Sequence, residues 1–207
     1  MGKSAFVVVD GMDGSGKSEI VKMLHNYLFS KKQYRILTTR EPTNGAYGKR
    51  IRRMLRNENN PMSNKELLLN LFAKDREEHL KNTIIPFLKS AKDECHIVIC
   101  DRYYYSSIAF QHAQGIPIEK VINKNKNFLK PDIAFILDVN PAIALKRISN
   151  REKEKFEKLN FMKKLRWNFL NLKGELKDNI KVVDASRPLD EIFGGIVKEI
   201  ENLLTKA

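Results

Sequence analysis

Gly11, Gly14, Gly16, Lys17 and Ser18 belong to the stretch Gly11-Met12-Asp13-Gly14-Ser15-Gly16-Lys17-Ser18, whose spacing G-x-x-x-x-G-K-[ST] is that of a phosphate-binding loop. Glycines let a backbone turn tightly and bring its N–H groups against phosphate oxygens, and a helix opening near Lys17 adds the positive end of its dipole. Lys17 would reach the outer phosphates of ATP, and the Ser18 hydroxyl would ligate a magnesium ion. Met12 and Ser15 lie within the same ATP-binding loop. Asp13 is the misfit, a carboxylate among phosphate contacts; it must face away, with a sugar hydroxyl as one partner within its chemistry. The alternative, a plain glycine-rich turn, is disfavoured by the apolar run Ala5-Phe6-Val7-Val8-Val9 before the loop and the amphipathic run after it.

Further residues along the chain fit the same chemistry. Asp101 ends the apolar run from Cys95 to Cys100, and a carboxylate at the tip of a buried strand beside a phosphate loop holds the metal or its waters. Arg102 follows it, where a cation could clamp a phosphorylated acceptor bidentately and offset repulsion between the two anionic groups; a solvated surface arginine is the alternative. Phe72 and Arg76 stand at i and i+4, so they share a helix face. Such a pair can stack a base and donate to its edge, where thymine offers the O4 acceptor and cytosine an N4 donor. The same pattern also suits a core face with a flanking charge. Arg147, Arg151 and Lys155 form a stripe at i, i+4 and i+8 that on a closing lid would stabilise transferring phosphoryl charge. Periodicity alone favours a solvated face laced with Glu154 and Glu157.

The elements that must position these residues alternate between apolar runs and helical patterns. Strands are expected at Phe6–Val9, Arg35–Thr39, Cys95–Cys100, Ile133–Leu137 and Ile180–Val183. Helices are expected at Lys17–Ser30, Tyr47–Arg56, Asn64–Leu80, Thr83–Ala91 and Leu189–Leu204, with a long polar helix or helix pair from Asn140 to about Asn171. Pro42 should end the second strand, and Asn140-Pro141 should open a helix as N-cap and first helical residue. The alternation argues an α/β fold with a five-stranded parallel sheet covered on both faces, in a single domain over residues 1–207.

At 207 residues the chain is long enough for one sizeable core, and 42% hydrophobic with 30% charged residues is ordinary for a globular protein. The formal net charge of +13 suits polyphosphate substrates, a nucleic-acid surface or a lysine-rich exterior equally. No basic tract interleaved with aromatics favours the second. The two cysteines, Cys95 and Cys100, read as free thiols. No apolar run approaches a membrane span, and Met1-Gly2-Lys3-Ser4 enters a strand directly, so a cytoplasmic protein is expected.

Taken together the motifs resemble the thymidylate kinase family over nearly the whole chain. The resemblance is carried by Gly11 to Ser18, Thr39-Arg40-Glu41-Pro42, Leu71-Phe72 with Arg76, Asp101-Arg102-Tyr103 with Ser106 and Ala109-Phe110-Gln111, Pro131-Asp132 with Leu137-Asp138-Val139, and Asp184-Ala185. It implies a three-layer α/β/α P-loop kinase with a short helical lid at about 141–160. It also implies ATP and dTMP as substrates, Mg2+ as cofactor, a homodimer, and neither nucleic acid nor membrane as partner. By the resemblance Phe72 stacks on thymine, Arg76 bonds its O4, Arg102 grips the dTMP phosphate, Asp13 takes the 3'-hydroxyl and Phe110 excludes a ribose 2'-hydroxyl. Ser106 and Gln111 line the base pocket, with Glu41 and Pro42 beside it. Gly14 matches the members whose basic residues lie in the lid, which implies catalytic roles for Arg147 and Arg151, with Lys153 as a substitute. Thr43-Asn44-Gly45, Glu19 and Lys155-Phe156-Glu157 depart from the bacterial pattern and are more similar to archaeal members. The remaining alternatives are a kinase for another deoxynucleotide or deoxynucleoside, and a basic P-loop ATPase that binds nucleic acid.

Overall fold

A computed structural model describes residues 4–57, 64–91, 94–148 and 155–206. β1 (Ser4–Gly11) is buried over all but its first residue, as a strand flanked and covered on every side must be. It pairs with β3 (Cys95–Asp101) on one side and β4 (Ile133–Asp138) on the other, with β2 (Tyr34–Arg40) and β5 (Ile180–Asp184) outside them, in the order β2-β3-β1-β4-β5. Every pairing is parallel, so all the strands end at one edge. The registers Val9↔Asp101, Arg40↔Asp101 and Gly11↔Leu137 bring the start of the phosphate loop and the strand-tip Asp101 level with each other. In open α/β sheets this is the edge where ligands bind.

Helices cover both faces of the sheet, giving three layers. α1 (Lys17–Ser30) buries Ile20, Val21, Leu24 and Leu28. Between β2 and β3 run α2 (Ala46–Asn57), α3 (Lys65–His79), a π-type turn at Leu80–Ile84 and α4 (Ile85–Lys89). The pattern that predicts two separate helices here is one continuous helical path. Leu80 and Ile84 are buried, which holds the chain against the core, while Pro86 has no N–H to continue the ladder and the turn ahead of it widens. Ile51, Leu68 and Leu71 form a second, smaller cluster between α2 and α3, against which Phe72 packs.

α5 (Tyr104–Ala113) and α6 (Ile118–Asn125) link β3 to β4, and neither is expected from periodicity. α5 buries Tyr104, Tyr105, Ser107, Ile108, Ala109, Gln111 and Ala113, so it has no solvent stripe to mark it. α7 (Pro141–Ile148) and α8 (Lys155–Glu175) lie between β4 and β5, and α9 (Leu189–Lys206) closes the chain. Asn140 caps α7 as expected, its Oδ1 accepting from the Ala142 N–H at 2.9 Å. α8 is tied to the sheet edge by Arg166, which donates Nε and Nη2 to the two Asp138 oxygens at 2.7 and 2.8 Å, and to α5 by Asn168 Nδ2 on the Ala109 carbonyl at 2.8 Å. Among the described residues no helix is long and apolar enough to cross a membrane.

Leu24 is fully buried where α1 meets the sheet. Leu24→Ala should destabilise by about 2–5 kcal/mol. Thermal unfolding should read this as a fall of roughly 5–15 °C.

Candidate active site

Lys17 opens α1 with its side chain folded back, Nζ donating to the Met12 carbonyl at 2.6 Å. Burial, seconded by the charge of Arg102, pushes its pKa down to about 8. A phosphate would offer this ammonium an anionic partner in place of the Met12 carbonyl. Ser18 Oγ donates to Asp101 Oδ2 at 3.3 Å, and Asp101 Oδ1 is buried with no partner among the described residues. A hydroxyl and a carboxylate with one orphaned oxygen are the hard donors that magnesium takes when substrate phosphates complete its shell. The described residues hold no group of three or more His, Cys, Asp or Glu that could enclose a metal unaided.

Arg102 sits directly after β3 with φ at 70°, in the left-handed region. Its backbone N–H donates to the Val9 carbonyl at 3.0 Å, continuing the β1–β3 ladder by one residue. The guanidinium turns back over the phosphate loop: Nη1 donates to the Gly11 carbonyl at 3.3 Å and to Ser106 Oγ at 3.0 Å, and Nη2 to the Asp13 carboxylate. Asp13 thus takes part in the site as the partner of Arg102, largely exposed at its own end.

Two cavities meet at this pair. The smaller, of about 180 Å³, lies against Gly14, Gly16, Lys17, Ser18, Arg40 and Asp101 and is bounded by Asp13 and Arg102. The larger, of about 330 Å³, starts at the same two residues and runs between Phe72, Pro42 and Phe110, past Ser106, Ser107 and Gln111, to a wall of Phe161, Met162, Leu165 and Phe169 from α8. Gln111 is fully buried, and among the described residues neither its Nε2 nor its Oε1 has a partner. Since buried amides are nearly always bonded, this one is poised for a ligand.

Arg76 stands differently from the expectation that it bonds the base, and Glu41, expected among the substrate-binding residues, is its partner. Arg76 is 1% exposed and does not line the cavity. Its Nε and Nη2 pair with Glu41 at 2.9 and 2.7 Å, Nη1 donates to Asn125 Oδ1 at 2.5 Å, and Nη2 also donates to Ser107 Oγ at 3.1 Å. Glu41 is further held by His79 Nδ1 at 3.1 Å. A guanidinium so deeply desolvated needs these partners, and they keep it one layer behind the wall, with Ser107 in front.

On the other side of the loop a cavity of about 450 Å³ is lined by Ser15, Leu137, Arg147, Ala185, Arg187 and Ile192. Arg147 donates Nη1 to the Gly14 carbonyl at 3.0 Å, so α7 leans on the loop. Arg151 and Lys153 lie outside the described residues. Sequence reasoning misses Ser107, the α8 wall and Arg187. Ser107 is the hydroxyl next to Ser106 in a motif already noticed. The Phe161, Leu165, Phe169 spacing is visible as a helical stripe but reads as ordinary core, and Arg187 follows a strand end without any motif.

A family model described as thymidylate kinase matches residues 9–196. A probable thymidylate kinase of Thermococcus onnurineus is 37% identical over 214 residues, spanning 97% of this chain and 99% of that protein. One of Staphylothermus marinus is 38% identical, spanning 93% of this chain and 92% of that protein. A thymidylate kinase of Clostridium novyi is 36% identical, spanning 93% and 96%.

Gly14 and Gly16 separate two reasons for glycine. Both have positive φ, at 77° and 94°, but a Cβ on Gly14 would lie 2.5 Å from the Ala144 carbonyl of α7, whereas one on Gly16 would meet nothing within 4 Å. Gly16→Ala should therefore lower stability by about 1–2 kcal/mol, the cost of the left-handed backbone alone. Gly14→Ala should cost more and displace α7. Melting temperatures of the two variants without nucleotide check this, and equal losses would contradict it.

Proposed function

The chain belongs to the thymidylate kinase family, and on that premise we propose how its own residues move the γ-phosphoryl group of ATP onto dTMP, giving dTDP and ADP. The carrying observation is that a phosphate cradle and an aromatic-walled cavity, with an amide unpartnered among the described residues, meet at one guanidinium, Arg102. ATP places its phosphates on the loop from Gly11 to Ser18, with its base in the cavity bounded by Arg147, Ala185 and Arg187. The acceptor lies in the larger cavity with its phosphate at Arg102. A dTMP phosphate oxygen attacks the γ-phosphorus in line, the bond to the β-phosphate oxygen breaks, and ADP leaves. The attacking oxygen is already anionic, so no strong base is required. Positioning and neutralisation by Lys17, Arg102 and lid cations, with Arg147, Arg151 and Lys153 as candidates, supply the catalysis.

Ser18 and Asp101 would hold a magnesium ion, which when bound neutralises charge on the triphosphate. The ring of Phe72 stacks on the base, with Pro42 beside it, and Phe110 closes the sugar position to a 2'-hydroxyl. Asp13, held at the mouth by Arg102, meets the 3'-hydroxyl. Gln111 can pair its carbonyl with N3–H of thymine and its amide with a carbonyl oxygen. An amide can turn over and accept cytosine equally well, so discrimination needs a fixed charge. Arg76 provides it: Ser107 Oγ accepts from Arg76 and keeps its own hydrogen for O4, while the N4 amino group of cytosine would face a buried cation. Glu41 serves the base by holding Arg76. We read the enzyme further as a cytoplasmic homodimer paired through the α2–α3 layer, which leaves Leu67 39% exposed. The excess positive charge serves nucleotides, with no nucleic-acid partner.

An assay of ADP release across dTMP, dUMP, dCMP, AMP and thymidine should show dTMP as the preferred acceptor and thymidine as inert. Equal rates with AMP or dCMP would overturn the assignment. Gln111→Leu should weaken dTMP by about 1–2 kcal/mol, roughly 5- to 30-fold in KM, with the KM for ATP unchanged.

A further inference from the structure

Asp10 ends the apolar run of β1 as a fully buried carboxylate in a place where a charge needs a reason. It lines neither the cavity at the phosphate loop nor the acceptor cavity. Its two oxygens are saturated from the protein. Oδ1 accepts from the Gly11 N–H at 2.8 Å and from Ser106 Oγ at 2.6 Å; Oδ2 accepts from the N–H groups of Tyr103 at 3.0 Å and Ser106 at 2.9 Å. Tyr103 is the N-cap of α5 and offers no side-chain cap of its own. Asp10 therefore caps that helix from another strand, taking the N–H of the N-cap Tyr103 and sharing that of Ser106 with the Tyr103 carbonyl, which lies 3.2 Å away.

The direction of one bond carries the consequence. Ser106 has a single hydroxyl hydrogen, and Asp10, as an acceptor, takes it. The same oxygen must then receive Arg102 Nη1, which lies 3.0 Å away. The Asp10 carboxylate itself lies 4.0 Å from that nitrogen and adds charge balance. A chain Arg102 to Ser106 to Asp10 thus aims the guanidinium, and the Gly11 bond ties the same carboxylate to the first residue of the phosphate loop.

We propose that Asp10 is a positioning residue for acceptor binding: through Ser106 it aims the Arg102 guanidinium at the phosphate of the monophosphate substrate. This rests on Arg102 being the clamp for that phosphate. Asparagine cannot take the place of Asp10, because each oxygen accepts two donors and an NH2 at either position would face an N–H or O–H.

The test is a mutant cycle read by calorimetric binding of dTMP and, separately, ATP to the whole protein. Asp10→Asn should weaken dTMP at least about tenfold while ATP changes less than about threefold. Should that variant not fold, Ser106→Ala still decides, since it cuts the chain and leaves Asp10 with its three backbone N–H partners. Ser106→Ala should weaken dTMP several-fold in the wild type and have no further effect in an Arg102→Ala background. The same loss in both backgrounds, or equal losses for dTMP and ATP in Asp10→Asn, would overturn the proposal. Unchanged dTMP affinity in Arg102→Ala alone would instead overturn the clamp assignment, and this proposal with it.

Discussion

Two polyanions must be brought into contact for phosphoryl transfer, and the repulsion between them is the constraint to which this structure answers. Arg102 stands between the cradle and the acceptor cavity, on a backbone in the left-handed region, with its guanidinium shared among the Gly11 carbonyl, Ser106 and Asp13. A cation held this way loses little freedom when a phosphate arrives, because its orientation is set before binding. The parallel sheet makes that possible. β1 and β3 are neighbours in register, so the phosphate loop and the Asp101-Arg102 tip leave the same edge side by side.

Behind the acceptor cavity a second cation, Arg76, is held by Glu41, Asn125 and Ser107, with Tyr103 and Phe128 rings near its guanidinium carbon. A buried ion pair is poor evidence for stability, since desolvation offsets much of the attraction. Its value here is a fixed positive potential behind a neutral hydroxyl. In the proposed binding mode this would bias the base end of the cavity toward an acceptor atom without placing a mobile charge against the ligand. The α8 wall has the complementary role, supplying apolar surface that Arg166 and Asn168 hold against the sheet edge and α5.

Much of this was legible in the chain because it rests on local signals. The phosphate loop, the five apolar runs and the Asn140 cap each declare themselves within a few residues, and the parallel sheet, though not its strand order, follows from the alternation of strands with helices. What was not legible depends on burial and on direction. α5 shows no stripe because it is covered nearly all round, and Asp10 looks like the polar end of a strand until four donors from two elements converge on it. Arg76 shares a helix face with Phe72, yet only the position of Glu41 reveals that its guanidinium turns away from the cavity. Spacing places a side chain on a face; hydrogen-bond partners decide where its charge goes.

The proposed reaction requires the two cavities to be halves of one site joined at Arg102. Inhibition by adenosine and thymidine linked 5' to 5' through five phosphates tests it most directly. Competition against both ATP and dTMP is expected, with affinity well above that of either nucleotide alone and loss of that advantage in Arg102→Ala. Competition against only one substrate, or affinity no better than that of ADP, would contradict it.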